Sequence, residues 1–275
     1  MKVKFWGVRG STPTPWKHAM DVGGNTSCVQ INCGKTLLIL DAGTGLRMLG
    51  DDLIAQQKKP ITAHLLLTHA HWDHIQGFPF FIPAYQAGNQ LTLYGARRAR
   101  KPLEEIMSGQ MSAPYFPIEM TQMAARLDFV ELDEETFWIE QDVKVTTCSF
   151  HHPGGVYGFR IEYQGQVVVF ATDMEYTEDN LDPKLIDFAA DADLLIYDAQ
   201  YTPEELKLKT GWGHSTHIAA AHLGQLARAK KVMLYHHDPS HSDHMLVKME
   251  AEAQAIYAPC QLAKEGMLIE LKHIP

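Results

Sequence analysis

Four metal-binding side chains crowd into one short stretch of this sequence: His69, His71, Asp73 and His74, within Thr68-His-Ala-His-Trp-Asp-His. On an extended strand, positions i, i+2 and i+4 share one face, whereas a helix would spread them around its axis. The apolar run Leu65-Leu66-Leu67 directly before them reads as a buried strand, so the cluster falls where that strand ends and the chain can turn. His74 can then reach a second ion. Imidazole with carboxylate suits zinc, manganese or iron, and the spacing does not choose among them. A bound ion lowers the pKa of water from about 15.7 to roughly 7, so the chemistry this cluster suggests is hydrolysis. The pattern differs from His-Glu-x-x-His, in which a helix gives two histidines to one zinc. The bland reading is a His-rich polar loop; four potential ligands directly after an apolar run argue against it.

Short β-type segments dominate the first third of the chain and bring the cluster into position. Val3–Val8, Cys28–Asn32, Thr36–Leu40 and His64–Thr68 each end in turn residues or a polar cluster. Gly43-Thr44-Gly45 opens an expected helix, Leu46–Gln57, with apolar Leu46, Leu49, Leu53 and Ile54 at helical spacing. Residues 78–125 are less regular and rich in Pro, Met and aromatics, which fits a lid or insert over a pocket and equally a homodimer surface. Strands resume at Asp128–Leu132, Val143–Phe150, Val156–Tyr163, Val167–Ala171 and Leu194–Tyr197. A helix at His217–Ala229 leads to a strand at Lys231–Tyr235, a helix at Met245–Ile256 and a closing strand at Gly266–Lys272. Hairpins and helix-separated strands together imply two mixed sheets with helices on their outer faces, an α/β class.

Bulk properties set outer bounds. A chain of 275 residues is within reach of one large domain, here taken as a single hydrolase domain over 1–275. Nothing approaches the roughly 18 apolar residues of a membrane span, and the start lacks the features of a signal peptide, so a cytoplasmic location is expected. Cys28, Cys33, Cys148 and Cys260 form no Cys-x-x-Cys pair and read as reduced, buried thiols. The formal charge of −9 argues against a general nucleic-acid-binding surface and leaves any phosphate recognition local.

The residues after several strands resemble the signature of the metallo-β-lactamase superfamily along nearly the whole chain. The resemblance implies a four-layer αββα sandwich with metals at one edge. Asp41, in Leu40-Asp-Ala-Gly-Thr-Gly, matches its first motif and would orient a ligand histidine, although a turn-capping role is the alternative. For the third motif His151 and His152 compete, and the His-Pro-Gly-Gly pattern before an aromatic-rich strand favours His152. Asp173 matches the bridging aspartate. For the last motif His236 and His237 compete, and His236 is preferred as the first polar residue after Val232-Met-Leu-Tyr. The resemblance thus implies one divalent ion at His69, His71 and His152, and a second at Asp73, His74 and His236. Asp173 would lie between them with a bridging hydroxide as nucleophile. Zinc is the expected ion, with manganese or iron as alternatives, and Asp73 counts as both ligand and catalytic residue.

Within that superfamily the chain is similar to the phosphodiesterase branch that contains tRNase Z. Phe5-Trp-Gly-Val-Arg-Gly-Ser-Thr-Pro, Asn25-Thr-Ser-Cys, Leu195-Ile-Tyr-Asp-Ala and Gly213-His-Ser-Thr carry the likeness. It implies that His214 is a general acid protonating the leaving oxygen, with Asp198 as its partner, one methylene shorter than the branch's usual Glu. The bland alternative has Ser215 or Thr216 capping the next helix and His214 merely exposed. Only residues 153–172 separate His152 from Asp173, where that branch commonly carries a tRNA-gripping arm. With the acidic charge, this points to small phosphodiesters or cyclic nucleotides, a small-molecule substrate, no membrane and no general nucleic-acid binding. Arg9 is a candidate phosphate contact or else a surface turn residue. His237, His241 and His244 surround Asp238-Pro239 and could line the mouth. His18, His64, His217, His222 and His273 take no role, and packing is the default for Met107–Phe116. A thioesterase or lactonase on the same scaffold is the runner-up, and a di-iron redox or oxygen-binding protein the third reading.

Overall fold

The computed structural model describes residues 1–56, 60–97 and 101–271. Within them two seven-stranded mixed sheets pack face to face, with helices outside. In the first half, β1 (Lys2–Gly7), β2 (Cys28–Cys33) and β3 (Thr36–Leu40) form an antiparallel meander. The sheet continues in parallel through β4 (Thr62–Leu66), β5 (Gln90–Ala96) and β6 (Arg126–Leu132). The second half repeats the plan. Strands β7 (Thr136–Ile139), β8 (Val143–Phe150), β9 (Val156–Tyr163) and β10 (Gln166–Ala171) are antiparallel. Then β11 (Leu194–Asp198), β12 (Val232–Tyr235) and β13 (Cys260–Leu262) follow in parallel. Strand β14 (Leu268–Glu270) returns to pair with β1.

Strand β3 shows why the layers form. All five of its residues are buried, as expected of a strand covered on both faces. Leu38 and Leu40 join the core shared with the second sheet, while Leu37 and Ile39 join the outer cluster. That outer cluster is closed by α1 (Gly45–Ala55), which buries Leu46, Leu49 and Leu53. The remaining helices are α2 (Trp72–Ile75), α3 (Leu103–Gly109), α4 (Pro183–Ala189), α5 (Pro203–Leu208), α6 (His217–Leu226) and α7 (Asp243–Ile256). Thr216 caps α6 by accepting from the Ala219 amide at 3.0 Å. No described helix is long and apolar enough to cross a membrane.

Most boundaries shift by one to three residues from the sequence expectation, and three differences are larger. The segment 78–125 is not loop throughout: β5 lies inside the first sheet, and its buried Leu91 and Leu93 alternate with less buried neighbours. That period-2 signal is short and lies among Pro and Met residues, which masked it. Met107, Met111, Met120 and Met123 are buried, so packing accounts for this methionine-rich stretch. The edge strands β7 and β13 and the one- to two-turn helices α2 to α5 were not expected, because each is too short to show a period. Gln57, Lys272 and His273 lie outside the described residues.

The two sheets are also tied by a polar contact. The Tyr235 hydroxyl, on β12, donates to the Gly7 carbonyl at the end of β1 at 2.7 Å and lies 3.1 Å from Ser27 Oγ. Tyr235→Phe should therefore lower unfolding free energy by about 1–2 kcal/mol, read as an earlier urea midpoint at unchanged slope.

Candidate metal centre

The residues expected to bind metal, and the aspartates expected to orient histidines, come from the carboxyl ends of strands in both sheets. Asp41 follows β3, the His69–His74 run follows β4, and His152 follows β8. Asp173 follows β10, Asp198 ends β11, and His236 follows β12. Three of them, Asp41, Asp173 and His236, have left-handed backbone with φ near 60°. A non-glycine residue in that region costs on the order of 1–3 kcal/mol and persists only where the surroundings impose it. Here each turns its side chain back into the cleft between the sheets.

The ligand atoms fall into overlapping groups. Nitrogens of His69, His71 and His152 lie within 4.8 Å of one another, as do the ligand atoms of Asp73, His74, Asp173 and His236. A third group joins Asp173 and His236 to Asp198 and His214. Asp173 links the groups: its Oδ2 is 3.3 Å from His74 Nε2 and 3.4 Å from His236 Nε2, and its Oδ1 is 4.0 Å from His69 Nε2. Asp73 Oδ2 stands 3.3 Å from His74 Nε2 and 3.2 Å from His236 Nε2.

The tautomers are fixed from behind. Asp41 Oδ2 accepts from His74 Nδ1 at 2.7 Å, the Gln200 side-chain oxygen from His236 Nδ1 at 2.8 Å, and the Gly213 carbonyl from His152 Nδ1 at 2.9 Å. Each ring therefore turns its Nε2 inward. His74 Nε2 and His236 Nε2 then face each other at 3.2 Å, and two neutral lone pairs at that distance repel unless a cation or proton lies beside them. His69 Nε2 is buried with no hydrogen-bond partner. Imidazole nitrogens turned inward beside buried carboxylates fit divalent ions.

The charges of the metal-free cluster compensate one another. Burial opposes ionisation of Asp173, yet the His236 and His74 imidazoles outweigh it and hold the carboxyl well below its usual range. Asp73 is lowered in the same way, against burial, first by His74. Burial pushes His69 well below the ordinary histidine range and His152 down to about 4. His214 goes the other way: burial works against its charge, but Asp198 overrides burial and raises it to about 9. Asp198 Oδ2 lies 3.0 Å from His214 Nδ1, so the aspartate reaches despite its shorter side chain. The same carboxylate accepts from the Asp173, Gln200 and Ser215 amides at 3.0 to 3.1 Å.

Of each competing pair, the structure brings one residue into the cluster. His152 lies inside while His151 is exposed, and His237 turns away to the Ala263 carbonyl at 3.0 Å. His241 is taken up by Glu205 at 2.9 Å. Arg9 is neither a phosphate contact nor a surface turn residue. It is fully buried and donates to the carbonyls of Gly23, His241 and Asp238 at 2.8, 2.8 and 3.1 Å, because the turn after β1 is folded under the His236–Asp243 loop. Sequence reading missed Gln200, the Gly213 carbonyl and the Ser11 amide, which donates to Asp73 Oδ2 at 2.7 Å. Gln200 two residues past Asp198 offered only a weak signal, and backbone donors and acceptors offer none.

Residues 36–237 match the family model described as a beta-lactamase superfamily domain. The Ribonuclease Z of Ligilactobacillus salivarius is 25% identical over 321 aligned positions, covering 96% of this chain and 95% of that protein. The Ribonuclease Z of Prochlorococcus marinus is 22% identical and covers 99% and 100%. Among solved structures, the metallo-beta-lactamase fold protein YhfI from Bacillus subtilis superposes with a TM-score of 0.74 at 20% identity, covering 98% of each chain. The short form of human tRNase Z gives 0.72 at 20% identity, covering 99% and 100%. These relatives overturn the expectation of a small-molecule substrate without nucleic-acid binding. Net charge is a poor guide here: Asp41, Asp73, Asp173 and Asp198, four of the acids behind the formal −9, are buried in the cluster, and a net figure does not say how the remaining charges are distributed over the surface.

Two measurements test this geometry. Gly213 has φ +91°, and a Cβ there would stand 2.1 Å from His152 Nδ1, so Gly213→Ala should displace that ring and weaken ion binding roughly 10- to 100-fold in a chelator competition. In metal-free protein, NMR titration should place the His214 midpoint near 9, and Asp198→Asn should lower it. Because the folded value is raised above the unfolded value of about 6.5, this stabilisation is complete below about pH 6.5 and is lost as pH rises through about 9.

Proposed function

The chain belongs to the beta-lactamase superfamily and is a metal-dependent hydrolase; from that premise we propose that it cleaves phosphodiesters, RNA among them, with His214 as general acid. The observation that carries this reading is the His214–Asp198 pair beside Asp173 and His236. A protonated imidazole at the edge of an ion cluster is the group an alkoxide leaving group needs, whereas a thiolate leaves with little such help. The names of the ribonuclease relatives support the RNA component.

We assign His69, His71 and His152 to one divalent ion and Asp73, His74 and His236 to a second, with Asp173 shared and zinc as the expected metal. Bound ions of this kind activate water near neutral pH and offset charge on phosphoryl oxygens. The chain's own residues do the rest. Asp41 holds His74, Gln200 holds His236, and Gly213 holds His152, so the inward nitrogens are placed before substrate arrives. His214 keeps its Nδ1 proton on Asp198 and presents its Nε2 proton to the leaving oxygen. Residues 1–275 act in this reading as one hydrolase domain, and a cytoplasmic location goes with it.

His214→Ala should retain both ions by elemental analysis yet lose activity unevenly. We expect a loss of roughly 10²- to 10⁴-fold on an RNA phosphodiester and a much smaller one on a p-nitrophenyl ester, whose leaving group needs no proton. Equal losses would remove His214 from the acid role. A metal-loaded protein that hydrolyses a thioester or lactone faster than either phosphodiester would reverse the substrate class.

A further inference from the structure

Beside the ion cluster lies a pocket of about 210 Å³ whose wall includes His69 and His71. Its other surfaces come from Leu67, Ala96, Leu103 and Ile106 and from the Pro153-Gly-Gly turn that follows His152. We propose that this pocket binds a nucleobase of the phosphodiester substrate, an inference that rests on the phosphodiesterase reading and names the substituent it recognises.

Three observations select that occupant. The pocket is continuous with the centre, because two of its wall residues are also members of the first ligand group. A group seated in it is therefore near enough to be a substituent of a phosphate held beside His69 and His71. Among the described residues its lining holds no Lys, Arg, Asp or Glu, so a second phosphate would find no counter-charge there. The described walls therefore suit an uncharged substituent. Its size and walls then favour a flat one: the apolar side chains of Leu103 and Ile106 from α3 stand with the side-chain-free backbone of Gly154 and Gly155, to which a planar ring can lie close. At Gly154 a Cβ would meet nothing within 4 Å, so the turn leaves open space. This also gives α3 a purpose that its burial of Leu103 and Met107 does not exhaust, since Ile106 on the same helix stays partly exposed toward the pocket.

Binding to metal-loaded protein tests the pocket without requiring turnover. By isothermal titration, adenosine 5′-monophosphate should bind roughly 10- to 100-fold more tightly than ribose 5-phosphate, the range that burying one base against aliphatic walls supplies. Ile106→Trp, which fills the space, should reduce that ratio toward one, and Ala96→Leu, from β5 on another wall, should do the same. Equal affinities in the wild type, or a ratio untouched in both filled variants, would overturn the pocket assignment. Thymidine 5′-(p-nitrophenyl phosphate) and methyl p-nitrophenyl phosphate share a leaving group and serve as the second arm. The nucleoside ester should have the higher kcat/KM, and the ratio should fall in both variants. If neither ester is cleaved while the binding ratio and its loss are observed, the nucleobase pocket stands and the phosphodiesterase reading fails.

Discussion

Two buried carboxylates hold this site in register. Asp41 follows β3 in the first sheet and Asp198 ends β11 in the second, and neither exposes any surface. Each fixes one imidazole through Nδ1, His74 and His214 respectively, and each spends its remaining lone pairs on neighbouring loops. Asp41 accepts from the Thr68 amide and from the Ser27 and Thr68 hydroxyls at about 2.9 Å. Asp198 gathers three amides from different segments. An unpartnered buried carboxylate costs several kcal/mol, so each is tolerable only because the loops close around it. The loops, in turn, are held to one another in part through these carboxylates. The dependence runs both ways, and this is why the site survives on loops rather than on regular elements.

The topology makes that convergence possible. Both halves run an antiparallel meander and then switch to parallel strands, at β3 and at β10. The residues after those two strands, Asp41 and Asp173, share the same left-handed backbone. In open α/β sheets a crevice forms outside the carboxyl ends of the strands where the order changes, and here two such crevices face each other across the sandwich. One supplies the His69–His74 run and its orienting aspartate. The other supplies Asp173, the hydrogen-bonded His214–Asp198 pair and His236. Neither half holds a complete site, so the packing of the two sheets is itself a condition for assembling the ligands.

This division explains what could be read from the sequence. The His69–His74 run is local, and its spacing alone pointed to metal. Asp41, His152, Asp173 and His236 are ordinary residues after ordinary strands, and became legible only through resemblance to a family whose motifs lie at strand ends. Long strands such as β8 and β9 were visible with their full boundaries, because eight residues rich in β-branched and aromatic side chains suffice to show a strand. Strand β5 was not, since its alternation is brief and its neighbours look like loop. The supporting atoms were the least legible: a glycine carbonyl, a serine amide and a glutamine acting two residues past a strand end carry no pattern.

Arg9 shows the same limit from the side of charge. A lone arginine in a glycine-flanked turn near a metal edge reads as a phosphate contact or a surface turn residue, but its guanidinium is held by carbonyls from two loops and stands 3.6 Å from Asp243. It binds the protein's own backbone because the loop after β12 must turn sharply to present His236, and its exposed carbonyls need donors where water is excluded. The cation thus serves the metal site by anchoring the segment that carries a ligand. Formal charge misleads for the same reason: the acids of the cluster and this arginine are consumed internally. Net charge therefore says little about what the cleft between the sheets can accommodate, because the buried charges around it are already paired with one another.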